Sequence, residues 1–132
     1  MTPNIIHADG WAPALGYANG MLMADGTLHI GGQIGWNADK QFVAKDFIGQ
    51  MEQALQNIMD VVKAAGGEAS DLTRLTWYVT DKKEYLARQA EVGGAYRKVL
   101  GRNFPAMTMV VVAALVEDEA LLEIEATAVI KR

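Results

Sequence analysis

Apolar and polar positions change their period along the chain, and each change predicts an element. Within residues 18–34, Met21-Leu22-Met23 and Leu28-His29-Ile30 flank Asp25-Gly26, a dipeptide that tolerates the positive φ angles of a tight primed turn, so the spacing predicts a β-hairpin. From Asp46 the period lengthens. Phe47, Met51, Leu55, Ile58 and Val62 recur at three- and four-residue steps, which predicts an amphipathic helix with Asp46 as its N-cap and Gly66-Gly67 as its stop. Residues 72–79, rich in Leu, Thr, Trp, Tyr and Val and too short for a stable helix, predict a buried strand. Asp81 with Glu84 three residues later forms a capping-box pattern that opens a second helix, ended by Gly101. Two strands follow, over residues 107–112 and, after the acidic turn Glu117-Asp118-Glu119, over 122–130.

The order is therefore β-β-α-β-α-β-β, an α+β mixed sheet with two helices on one face, expected to form one domain over residues 1–132. Met107, Met109 and Val111 alternate with Thr108, Val110 and Val112, leaving apolar residues on both faces of the sheet. No third helix remains to cover the second face, so copies of the chain are expected to pack their sheets together. Gly93-Gly94 lies inside the second helix, at a cost of about 1 kcal/mol per glycine relative to alanine. It reads either as close helix packing or as room for a ligand or a partner chain.

Composition narrows the chemistry. A net charge of −4 leaves no basic face for phosphates, so nucleic acid is not an expected partner. Cysteine is absent, which excludes disulfides, thiolate catalysis and Cys-ligated metals. Ser70 is the lone serine and lies outside any Gly-x-Ser-x-Gly elbow. Gly31-Gly32-Gln33-Ile34-Gly35 is neither a dinucleotide fingerprint nor a P-loop, and His7 and His29 form no metal-ligand cluster, so no metal or cofactor is expected. No apolar run reaches the roughly 18 residues that span a bilayer, and no membrane contact is expected for what reads as a cytoplasmic protein.

Several residues remain as candidates. Glu123 and Glu125 alternate with Leu122, Ile124 and Ala126, so both carboxylates share one strand face, about 7 Å apart. They read as a proton-transfer pair, a solvated face or partners of interfacial cations. Gly31 and Gly32 inside a strand mark either a bulge or a place where a ligand approaches the backbone. Trp36, Trp77 and Tyr78 fit a pocket wall or core packing, and Tyr17 fits a ligand donor or a sheet-end cap.

Ala14-Leu15-Gly16-Tyr17, Leu28-His29-Ile30-Gly31-Gly32-Gln33-Ile34, Asn103-Phe104-Pro105-Ala106 and the terminal Leu122-Glu123-Ile124-Glu125-Ala126-Thr127-Ala128-Val129 together resemble the reactive intermediate deaminase (Rid, YjgF-type) superfamily over nearly the whole chain. The resemblance implies a chorismate-mutase-like fold and a homotrimer whose sheets form a central barrel, with small-molecule clefts between subunits. It also implies cofactor-free hydrolysis of an enamine or imine to a carbonyl compound and ammonia. Carried over by motif, Glu123 positions water, Tyr17 lines the cleft and a backbone group at Gly32 completes it.

The chain also departs from the family pattern. Pro105-Ala106-Met107-Thr108 places Met107 where the deaminases carry the arginine that holds a substrate carboxylate, with Thr108 beside it. Gly93 stands where an asparagine is common, and Gly31 where a serine is. The resemblance, so modified, implies a roomier and more apolar cleft, in which Met107 beside Trp36 or Trp77 suits a flat or aliphatic, less anionic ligand. A noncatalytic ligand-binding trimer is the alternative expectation, and a ribonuclease or translation inhibitor a third.

Overall fold

The alternation of residues 18–34 is realised as two antiparallel strands, β2 (Gly20–Leu22) and β3 (Thr27–Ile34), in a computed structural model that describes residues 4–131. The turn between them differs from the primed type. Gly26 N–H donates to Met23 O at 3.1 Å and Met23 N–H to Thr27 O at 2.8 Å. Of Asp25 and Gly26, Gly26 alone has positive φ, at +94°. A three-residue loop with its glycine in the left-handed region fits this pattern, because only one residue needs positive φ there. Ahead of the hairpin lies β1 (Asn4–Ile6), an edge strand absent from the pattern reading.

Helix α1 (Phe47–Ala64) follows the predicted apolar stripe, with Met51, Leu55, Ile58 and Val62 fully buried. Asp46 occupies the N-cap position, yet its carboxylate accepts no capping hydrogen bond. The C-terminus closes on Gly66, at φ +86°: Gly66 N–H donates to Lys63 O and Gly67 N–H to Val62 O, both at 2.9 Å. This crossed pair of bonds is the Schellman arrangement, and it satisfies two carbonyls the helix end would otherwise leave open.

Strand β4 (Leu72–Val79) has the predicted bounds. The second predicted helix is two, α2 (Lys82–Ala87) and α3 (Gln89–Leu100), separated at Arg88, whose φ of −122° and ψ of 25° depart from helical values. Asp81 accepts from Glu84 N–H at 3.1 Å, but the reciprocal half of the capping box is not made, because the Glu84 carboxylate turns to Arg88. Arg88 also reaches Glu91 at 3.3 Å, so one guanidinium bridges Glu84 of α2 and the first turn of α3. Strands β5 (Ala106–Val111) and β6 (Leu122–Val129) complete the chain.

The six strands lie in the order β1-β2-β3-β6-β4-β5, with β4 and β5 parallel and every other pair antiparallel. The result is the expected α+β mixed sheet, with three helices rather than two. Leu28, Leu75, Trp77, Leu122 and Ile124 point to the helices and form one core with α1. Gln50, also fully buried, ties α1 to the approach to β6. Its amide donates to Ala44 O and Glu119 O, and its oxygen accepts from Leu121 N–H.

The second face is less apolar than the alternation of β5 suggests. Strand pairing places His29, Arg74, Thr76, Thr108, Glu123 and Glu125 there, with Ile5, Val110 and Val129 the exposed aliphatics. The reason is in the register: most polar members of β3, β4 and β6 share the face opposite the helices, while Gln33, beyond the shift in register, pairs with Ile124 and is buried. Among the described residues no helix is long and apolar enough to cross a membrane.

Candidate functional site

The candidates fall into three groups on the sheet and its edges. The first joins Glu123 to Gly32. Between Ile30 and Gln33 the pairing of β3 with β6 slips, so a bulge at Gly31-Gly32 interrupts the ladder. The bulge brings Gly32 under the Glu123 side chain, which sits on the face away from the helices. A Cβ at residue 32 would lie 2.1 Å from Glu123 Oε2 and 2.7 Å from its carboxyl carbon. No side chain fits there without moving the carboxylate. Of the two readings of these glycines in the sequence, the structure shows the bulge, and what comes close to Gly32 is the Glu123 side chain of the same chain. Gly31 N–H is already committed to Asn19 O at 2.9 Å.

Burial pushes the Glu123 carboxyl above the usual carboxylate range, and the neighbouring Glu125 adds to the shift. Glu125 is itself held by the Tyr78 hydroxyl, which donates to its Oε1 at 2.6 Å. That bond, with burial and the charge of Glu125, raises the Tyr78 phenol above its ordinary value. Tyr78 stands opposite Glu123 across the β4–β6 pair and bonds diagonally to Glu125. Position in the sequence could suggest its face, but its partner depends on a register that only the folded sheet fixes. Thr108 lies on this same face, in register with Thr76.

Tyr17 and Trp36 meet in a second group. Both line a narrow pocket with Asn19, Asn57 and Lys40. Lys40 Nζ sits 5.7 Å from the centroids of both rings and donates to Pro13 O at 2.9 Å. It holds the loop that carries Tyr17 against the end of β3 by cation–π attraction. Lys40 has positive φ, at 60°, and nothing in the sequence marked it.

Met107 and Gly93 belong to a third place. Met107 is in register with Leu75, on the helix-facing side, and lines a groove between β5 and α3 with Trp77, Gly93, Tyr96 and Phe104. Met107 is thus beside Trp77 and not beside Trp36. Within one chain, Met107 and Glu123 face opposite sides of the sheet. Arg97 also lines the groove and is absent from the sequence candidates. Its signal was the four-residue spacing from Gly93, which places the two on one helix face.

Comparison with known proteins adds the following. The endoribonuclease L-PSP family profile matches residues 9–130. A RutC family protein of Haemophilus influenzae is 34% identical over 132 residues, covering 99% of this chain and 100% of the relative. The 2-iminobutanoate/2-iminopropanoate deaminase of Capra hircus is 32% identical over 117 residues, covering 88% and 82%. A crystal structure of a protein of unknown function from Yersinia pestis, described as belonging to the conserved Rid protein family, superposes with a TM-score of 0.84 at 29% identity, covering 98% of this chain and 100% of that one.

Proposed function

The chain belongs to the endoribonuclease L-PSP family, the Rid (YjgF-type) superfamily, and from that premise we propose that it hydrolyses an imine or enamine to a carbonyl compound and ammonia in clefts between subunits of a homotrimer. The observation that carries the proposal is the Glu123 carboxylate held over Gly32, part-buried and with raised proton affinity. A carboxylate of that kind accepts a proton more readily than a solvated one. As the water oxygen bonds to the imine carbon, the C=N electron pair moves to nitrogen and Glu123 takes the proton that water gives up. Glu123 returns that proton to nitrogen to give the neutral carbinolamine, which collapses as the hydroxyl proton passes by way of Glu123 to nitrogen: the O–H electron pair forms the C=O bond, the C–N bond breaks and ammonia departs. Glu125, anchored by Tyr78, keeps a like charge close by and sustains the basicity of Glu123.

Oligomerisation is supported by the placement of the candidates. Glu123 and Gly32 face one side of the sheet, Met107 and Gly93 the other, so a cleft that unites them needs two chains. Tyr17, Gly31, Trp36 and Thr108 would complete its lining. No cofactor enters this chemistry. Met107 has no donor for a carboxylate, so the polar group of the substrate is not received there as it is by an arginine. RNA cleavage, which the family description names, is disfavoured by the net charge of −4 and by the two carboxylates on the open face.

The test is a substrate panel, with light scattering on the same preparation. Purified protein is given 2-iminopropanoate, bulkier 2-imino acids and neutral enamines, each beside a protein-free control. Acceleration of the bulkier 2-imino acids over 2-iminopropanoate by a trimer is expected. A trimer that accelerates none of them is a ligand-binding protein, and a monomer refutes the shared cleft.

A further inference from the structure

We propose that Arg97 makes the groove between β5 and α3 a binding site for a small carboxylate with a flat or branched apolar body. The groove has a volume of about 260 Å³, room for roughly nine waters at about 30 Å³ each. Its walls are apolar and aromatic: Trp77, Val92, Tyr96, Phe104, Met107 and Met109. Arg97 is the one charged residue among those lining it. It stands one helical turn beyond Gly93, and long helical side chains lean toward the N-terminus, which carries its guanidinium back over that glycine. A Cβ at residue 93 would lie 3.3 Å from Arg97 Nη1, so the missing side chain leaves the guanidinium its place.

The charge is also unspent. The ion pairs among the described residues are Lys45–Glu119, Arg88–Glu84, Arg88–Glu91 and Lys98–Glu52, and none engages Arg97. Trp77, in the same wall, is almost fully buried, so its indole adds apolar surface to the floor of the groove. An apolar trough with one uncommitted planar cation recognises an amphipathic anion: the guanidinium forks onto two carboxylate oxygens and the body lies against the aromatic walls. Met107 and Arg97 then exchange the usual duties of strand and helix. The strand residue supplies apolar surface and the helix residue supplies charge.

This inference names the ligand class of the groove and rests on the proposed function only for what becomes of that ligand, so binding is tested apart from turnover. Phenylacetate and phenylacetamide are titrated into the wild type and into the Arg97→Gln, Arg97→Lys and Glu123→Gln variants by isothermal calorimetry. A charge-assisted bidentate contact, partly screened by solvent, is expected to favour the acid by about tenfold or more in the wild type. R97Q is expected to bind acid and amide alike, with amide affinity unchanged, and R97K to restore part of the preference. E123Q, which takes a negative charge out of the shared cleft, is expected to keep at least the wild-type preference. Equal binding of acid and amide by the wild type, or a preference that survives in R97Q, overturns the assignment. An intact preference in E123Q with no hydrolysis by the wild type instead refutes the proposed reaction and leaves Arg97 standing.

Discussion

Replacing Gly32 by alanine isolates the placement of Glu123 from its chemistry. The added methyl carbon would start 2.1 Å from Glu123 Oε2 and 2.9 Å from Cγ, while ordinary contact begins near 3.4 Å. The carboxylate oxygen must therefore withdraw by about 1.3 Å, and Cγ by about 0.5 Å, the differences between those distances. The strand backbone need not follow, because the clashing atoms end a flexible side chain. The stability cost should stay near the low end of overpacking, about 1 kcal/mol. The rate is more sensitive, since misplacing a catalytic group by about 1 Å costs on the order of a hundredfold. G32A is thus expected to unfold within a few degrees of the wild type and to lose about a hundredfold in kcat on the best imine substrate. In an E123Q background the same substitution should lower the rate no further, because the group it displaces is already disabled. Wild-type turnover by G32A, or losses from G32A and E123Q that simply add, would refute the placement of Glu123 over Gly32 as the basis of catalysis.

Other outcomes follow from single contacts. Because the Glu123 carboxyl binds its proton more tightly folded than unfolded, its contribution to stability is full below the ordinary carboxylate pKa and is lost as pH rises through its raised value. Thermal unfolding between pH 3.5 and 7.5 should therefore show the wild type losing stability relative to E123Q as pH climbs; parallel curves would contradict the burial of this group. Gln50→Leu removes two donated bonds and one accepted bond in the interior, stranding Leu121 N–H and two carbonyls. Chemical denaturation should register a loss of about 2–4 kcal/mol, and a loss under 1 kcal/mol would mean that water replaces the glutamine. Gly66→Ala puts a side chain at φ +86° with nothing within 4 Å, so its cost, about 1–2 kcal/mol, is conformational alone and should appear as faster unfolding without loss of binding.

The parts legible in the sequence are those fixed by local pattern. Strand β4 and helix α1 carry an unbroken alternation or stripe between clear stops, and their bounds were readable to within two residues. Strand β1, three residues long and held at an edge by β2, has too little pattern to announce itself. The division of α2 from α3 falls at Arg88, whose non-helical φ and ψ no residue type in the stretch announces. Glu123 and Gly32 were individually visible, as an alternating carboxylate and a glycine pair. Their contact depends on a bulge between strands some ninety residues apart and appears only in the folded sheet. The same limit hid Tyr78 as the partner of Glu125. The alternation of β5 does leave an apolar residue, Val110, on the second face, but the polar residues that share that face come from neighbouring strands and were not legible from β5 alone.

The most direct measurement compares ammonia release by wild type and Glu123→Gln on the imine that the wild type turns over fastest, with the mass of each assembly taken from the same sample. The account predicts equal trimers and a hundredfold to ten-thousandfold loss of rate in E123Q, the usual share of a general base. A trimeric E123Q that hydrolyses the imine at the wild-type rate would contradict it.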